Sequence, residues 1–289
     1  MTINRHKLPH KFPLLPRKKN TDKSHYGHAL ILAGSQGMSG AAILASRSAL
    51  ESGCGLVTLA TPKSLIPIVA KSLPEVMQLA LPETKSASAG ASAFPKLMCF
   101  IQKRKINALL AGPGLSQNVE TAKLVRKLIS TAPVATVLDA DGLNSYKAKT
   151  AELKGHAAPL VLTPHKKEFE RLFLEKWPEE RACRIKLAKR LSKFYDVVLV
   201  MKGPGTLVVC GDRCYINNTG NPGMAKGGAG DVLAGVITAF ICQKLDPFLA
   251  ASWAVYFHGR AADIAVKERG ELGLVASDII RFLPKAFRI

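Results

Sequence analysis

The chain has 289 residues, enough for one large α/β domain or two small ones, and its 47% apolar and 21% charged content is ordinary for a globular protein. No apolar run approaches the roughly 18 residues that span a bilayer, and the basic start, broken by Pro9, Pro13 and Pro16, lacks the apolar stretch of a secretory signal. The formal net charge of +20 attracts polyanions, yet its denser spots, Arg17–Lys19 and Lys103–Lys105, carry no interleaved aromatics, so a solvated basic face is expected and no specific nucleic-acid site.

Residues 1–24 read as an irregular, proline-containing lead-in. Ala29–Gly34 suits a buried strand, the turn Gly34–Gly40 follows, and Ala41–Ser52 reads as a helix stopped by Gly53 and Gly55. Leu56–Ala60 is a second strand, which completes a βαβ unit and implies a parallel sheet. Thr84–Lys96, small and polar, reads as a surface loop. Further strands are expected at Ile106–Ala111, Val134–Leu138 and Leu160–Leu162, with helices at Val119–Ile129, Glu168–Phe173 and Glu179–Phe194. Val197–Met201, Thr206–Cys210 and Tyr215–Asn217, joined by short Gly/Asp turns, predict antiparallel hairpins. Helices at Asp231–Gln243, Pro247–Glu268 and Ser277–Phe287, the last with Ser277 near its N-cap, close the chain. The expected fold is a three-layer α/β/α domain over 25–289, its sheet mostly parallel with an antiparallel extension.

Six cysteines at 54, 99, 183, 210, 214 and 242 form no CxxC pair, so no metal site or disulfide framework is expected; reduced thiols suit the cytoplasm. Ligands of a parallel sheet sit beyond the carboxyl ends of its strands. Polar punctuation falls there repeatedly, at Gly34–Gly40, Gly112–Gly114, Asp139–Asn144, Thr163–His165 and Lys202–Thr206, the layout of one shared cleft.

The most informative segment is NNTGNPGMAKGGAGDVLAG, Asn217–Gly235. Glycines let successive amides turn inward as an anion-binding nest, and a helix start adds unpaired N–H groups and the positive dipole end. Asp231 in that first turn either caps the helix or takes the proton of a hydroxyl attacking phosphorus. No Gly-Lys dipeptide occurs, which excludes a Walker A loop, and Gly34–Gly40 is spaced GxxGxxG, which is not the dinucleotide fingerprint.

Together with HYGHALILAGS, SGAAILASRSALESGCGLVTLATP, AGPGLS, VLDADGLN, LTPHKKEFERL and VMKGPGTLV, this segment resembles the NAD(P)H-hydrate dehydratase family of the ribokinase-like superfamily, over residues 25–287. The resemblance implies a reaction on the S epimer of NADH or NADPH hydrate. ADP, or ATP, phosphorylates the ring hydroxyl with Mg²⁺ present, and phosphate then leaves. It also implies that Asp231 is the base, that Gly228, Ala229 and Gly230 hold the migrating phosphoryl group, and that Lys202, Gly203, Pro204, Gly205 and Thr206 bind the nucleotide. Ala42, Gly114 and His165 would contact the hydrate. It further implies a homo-oligomer working with a separate epimerase, since only about 25 residues precede the first strand here and leave no room for a fused one. Asp139 and Asp141 suit turn capping or, through water, Mg²⁺; Asn144 and Asn221 are further cleft groups. Departures are Lys226 and Ala229 where the family commonly has threonines, and Lys166 and Lys167 after Thr-Pro-His. The alternative is a ribokinase-like kinase of the hydroxymethylpyrimidine or hydroxyethylthiazole type; a third reading, from the charge, is a non-catalytic nucleotide or nucleic-acid binder.

Overall fold

The computed structural model describes residues 8–288 apart from positions 10, 15 and 18. Parallel strands form from short apolar runs, buried on both faces in the middle of the sheet and half-buried at its β3 edge. They are β1 (His28–Leu32), β2 (Leu56–Pro62), β3 (Met77–Leu81), β4 (Ala108–Ala111), β5 (Ala135–Leu138), β6 (Leu160–Leu162) and β7 (Val197–Met201). A hairpin of β8 (Leu207–Cys210) and β9 (Arg213–Ile216) extends the sheet antiparallel. The strand order is β3-β2-β1-β4-β5-β6-β7-β8-β9.

Alternate strand residues feed two cores. One face presents Ala29, Ile31, Val57, Leu110, Val137 and Val198 to helices α1 (Ser39–Glu51), α2 (Ile66–Ser72), α8 (Ala229–Cys242), α9 (Pro247–Gly273) and α10 (Ala276–Ala286). The other presents Leu30, Leu32, Leu109, Leu138, Leu162 and Leu199 to α3 (Phe94–Lys103), α4 (Val119–Ile129), α6 (Lys166–Phe173) and α7 (Arg181–Tyr195). The short α5 (Asp141–Asn144) follows β5 directly. This is the expected three-layer arrangement with its antiparallel extension.

Several elements differ from the sequence reading. β3, α2 and α3 were not anticipated. The stretch 84–96 is only partly a surface loop: Ser88, Ala89 and Ala93 are buried, and α3 already begins at Phe94. Thr121 Oγ1 donates to the Ala89 carbonyl at 2.8 Å, which stitches this stretch to α4. Ser277 is not the cap of α10; Val275 is, and its N–H donates to the Asp278 carboxylate at 3.1 Å. α9 runs past Glu268 but breaks at Gly270, whose φ of 65° is open to glycine at little cost.

The lead-in lies partly outside the described residues. Within them, Phe12 is buried and packs against Phe240, Trp253, Phe257 and Phe287. A short 3₁₀ turn, Lys23–Tyr26, is capped by the Asp22 carboxylate, which accepts from the Ser24 N–H at 2.7 Å.

Candidate active site

The chain crosses from one side of β1 to the other between β3 and β4, so β1 and β4 diverge above their carboxyl ends and leave a crevice. The turns after these strands are tied together there: Gly34 N–H donates to the Pro113 carbonyl at 2.9 Å, and Ser35 Oγ to the Gly114 carbonyl at 2.8 Å. Gly114, at φ 60°, lies against Met38 and Ala41, where an added Cβ would come within 2.8 Å of Met38 Cβ. Ala42 is fully buried beneath Gly34. The first turns of α1 thus form one wall, and Leu44 on the same helix reaches Gly228 opposite.

Under the other half of the crevice lies a cluster of charged side chains. Lys202 follows β7 with its ammonium mostly buried, 2.6 Å from Asp139 Oδ1 and 3.7 Å from Glu168 Oε2. Asp139, at the end of β5, is 1% exposed, and its Oδ1 also accepts from Thr163 Oγ1 at 2.6 Å. Its second oxygen, Oδ2, finds no partner among the described residues. Burial weakens the Lys202 ammonium, but Asp139 and Glu168 outweigh it, and the pKa rises above the usual lysine value. The lysine therefore stays charged.

Above it begins α8. Gly228 occupies the N-cap at φ 91°, pressed between Leu44 and Ala276, where an added Cβ would be 2.6 Å from Leu44 Cδ1. The first backbone hydrogen bond of the helix runs from Val232 N–H to the Gly228 carbonyl at 3.1 Å. The amides from Ala229 to Asp231 have no carbonyl one turn behind them and face outward as donors. An added Cβ on Gly230 would sit 3.3 Å from Lys202 Nζ and 3.9 Å from Asp139 Oδ2, so the helix start lies directly over the buried lysine. Aligned amides, a helix dipole and a fixed cation converge on one point, a place for a phosphate or a phosphoryl group in transfer.

Asp231 stands in this first turn. The N-cap Gly228 offers no side-chain cap. Burial, then the Asp139 carboxylate, push its pKa up to about 7 against the pull of Lys202, with Glu168 and Asp141 adding smaller repulsion. An acid tuned there can accept a proton near neutrality.

The remaining predicted residues fall around this centre. His165 caps α6: its Nδ1 accepts from the Glu168 N–H at 3.2 Å, and its half-exposed Nε2 lies 3.5 Å from Glu168 Oε1. Gly203, Pro204 and Gly205 form the exposed turn between β7 and β8, closed by Thr206 Oγ1 donating to the Gly203 carbonyl at 2.8 Å. Asn144 is engaged by Asp141 and by Arg171, whose Nη1 donates to Asn144 Oδ1 at 2.6 Å. Asp141 also accepts from the Ser116 N–H at 2.9 Å and so orders the turn after β4. Asn221 donates to Asp263 and does not enter the cluster.

Sequence reasoning missed Glu168 and His258. Glu168 had a signal, the spacing His165-x-x-Glu168 of a capping box. His258 had none: it is a single histidine in an apolar helix, driven by burial to about 4 and thus neutral, with the Ala229 backbone against it. Among the described residues no three His, Cys, Asp or Glu side chains are placed to hold a metal ion by themselves. A depression of about 620 Å³ elsewhere on the surface, flanked by Lys123, Arg126 and Lys127, does not border the crevice.

One mostly parallel sheet between two layers of helices gives the chain a ribokinase-like α/β fold. A solved ribokinase-like superfamily protein from Enterococcus faecalis shares this fold, with a TM-score of 0.78 at 23% identity over 94% of this chain and 90% of that one. More specifically, the chain belongs to the NAD(P)H-hydrate dehydratase family, whose profile matches residues 29–285. It is 34% identical to the ADP-dependent (S)-NAD(P)H-hydrate dehydratase of Bacillus subtilis over 94% of this chain and 93% of that protein. A crystal structure of the Bacillus subtilis ADP/ATP-dependent dehydratase with ATP/Mg²⁺ superposes with a TM-score of 0.80 at 31% identity, covering 94% and 93% of the two chains. A bifunctional NAD(P)H-hydrate repair enzyme from Moorella thermoacetica is 39% identical over 95% of this chain but only 52% of its own length. The chain thus spans about half the length of the bifunctional relatives it matches.

Proposed function

We propose that the chain is an ADP-dependent (S)-NAD(P)H-hydrate dehydratase, a carbon–oxygen lyase. The observation that carries this reading is the carboxylate of Asp231 in the first turn of α8, a helix start that lies over the Lys202 ammonium. Hydroxide is a poor leaving group and phosphate a good one. Asp231 takes the proton of the hydrate's C6 hydroxyl as its oxygen attacks the terminal phosphorus of ADP, and AMP departs. The amides of Gly228, Ala229 and Gly230 hold the charge that develops on the phosphoryl oxygens, and Lys202 supports them from below. Phosphate then leaves C6, the C5 proton is lost and the ring double bond returns, giving NADH or NADPH.

Ala42, Gly114 and His165 are assigned to the hydrate side of the crevice, with Gly114 packed closely on α1. Gly203, Pro204, Gly205 and Thr206 are assigned to the nucleotide side. Mg²⁺ fits the donor set: Asp139 Oδ2 is buried without a partner, and Mg²⁺ commonly takes one or two carboxylates with waters and nucleotide phosphates. Asp139, with Glu168 nearby, would hold it; the ion would neutralise phosphate charge.

The reading extends to a cytoplasmic homo-oligomer working beside an epimerase, with 25–289 as one catalytic domain behind the lead-in 1–24 and no specific nucleic-acid partner. It draws on the family, and on the finding that no helix among the described residues is long and apolar enough to cross a membrane. The test is incubation with the hydrate and ADP or ATP. Regained reduced-nicotinamide absorbance with stoichiometric free phosphate supports the dehydratase. A stable phosphorylated product without regained absorbance would instead make the chain a small-molecule kinase, and polyanion binding without turnover a binding protein.

A further inference from the structure

We infer that Lys226 is a positioning residue for the phosphate-binding turn: its ammonium fastens the segment before Gly228 to the carbonyl end of helix α9. The inference rests on the reading that this turn binds nucleotide phosphates. Lys226 Nζ donates to the Leu272 carbonyl, in the last turn of α9 just after the break at Gly270. On its own side, Lys226 N–H donates to the Met224 carbonyl at 2.8 Å, whereas the run from Gly227 leads into the outward-facing amides of α8. Lys226 is therefore anchored by both backbone and side chain immediately ahead of the nest.

A second fastening lies upstream on the same helix. The Asp263 carboxylate accepts from the Gly220 N–H at 2.8 Å and from Asn221 Nδ2 at 3.0 Å, and Asn221 Oδ1 accepts from the Gly223 N–H at 3.1 Å. Gly223 rests against the backbone of Glu271. Asp263 and Lys226 thus hold the two halves of a segment with glycines at 220, 223, 227 and 228. Such a segment loses much entropy on ordering. Ordering it before the phosphate arrives removes that cost from the binding step. The lysine ammonium ends four bonds beyond Cβ, which lets it span to the Leu272 carbonyl. Because the ammonium is directed at a neutral carbonyl, its work is to place the turn; the phosphate is left to the amides and to Lys202.

The test compares the full chain with Lys226→Met and Lys226→Arg, by hydrogen exchange over residues 219–228 without nucleotide and by ADP and ATP affinity at several ionic strengths. Lys226→Met is expected to speed exchange over this segment and to weaken nucleotide binding about fivefold. The salt dependence of binding and the rate at saturating nucleotide should be kept. Lys226→Arg should restore both exchange and affinity. Unchanged exchange and affinity in Lys226→Met would overturn the inference. So would weakened binding with unchanged exchange and a flatter salt dependence, which would place the ammonium on the phosphate itself. If the unsubstituted chain binds neither nucleotide, the nucleotide reading of the turn falls, and unchanged exchange in Lys226→Met would then sink the tether separately.

Discussion

Three carboxylates and one ammonium set the working pH of Asp231. Burial and Asp139 raise its pKa to about 7 while Lys202 pulls it down. Turnover limited by Asp231 should fall as pH drops through about 7. Lys202→Met removes the opposing charge, and the acid limb of the kcat profile should move to higher pH; a limb that stays in place would separate Lys202 from the base. Asp231→Asn should abolish turnover and leave nucleotide binding largely intact, measured by calorimetry. The same substitution has a sign in stability. An unfolded aspartate titrates near 3.8, whereas the folded one holds its proton up to about 7. Its stabilising share is complete below the unfolded value and is lost as pH rises through the folded one. Above pH 7 the native state carries an unfavourable buried charge, and Asp231→Asn should therefore raise Tm at pH 8, by on the order of 2–4 kcal/mol in stability, and much less at pH 5.

Among the elements, α1 and α8 approach closely because Gly235 faces Ala45 and Ser48, and an added Cβ there would overlap the Ala45 carbonyl and Ser48 Oγ. Gly235→Ala should lower stability by about 1–3 kcal/mol or more, visible as a drop in Tm, and should reduce activity because it tilts the helix that carries the nest. The strands that could be read from sequence were those with unbroken apolar runs: ALILAG gave β1, and LVL before Thr163 gave β6. β3 escaped because MQLAL sits at the sheet edge, half-buried, with a glutamine inside it. α2 and α3 escaped because each opens on a proline, Pro67 and Pro95, which punctuates a sequence even though proline is welcome in a first helical turn. The glycine nest and Asp231 were legible because they are contiguous. The Lys202–Asp139–Glu168 cluster was not, since it joins the ends of β5 and β7 to the first turn of α6, which only the sheet order brings together. Asp139 and Lys202 were noticed singly; their pairing carried no sequence signal.

At the scale of the molecule, the lead-in joins the core at Phe12, while most of its other described residues are exposed. Phe12 fills a space among four aromatic side chains from α8, α9 and the end of α10. Phe12→Ala should cost about 3–5 kcal/mol, read by chemical denaturation, with the largest loss of exchange protection at the C-terminal end of α8. The net charge of +20 acts differently: it adds salt-sensitive attraction for any polyanion, nucleotides included, without selecting among them.

After β9, at one margin of the sheet, the chain returns to lay α8 against α1 and over β1, β4 and β5. The crevice is therefore walled by the earliest helix of the domain and roofed by one of the last. A chain still being synthesised, or one cut short before Ala229, could complete its whole sheet and yet offer a phosphate no cradle.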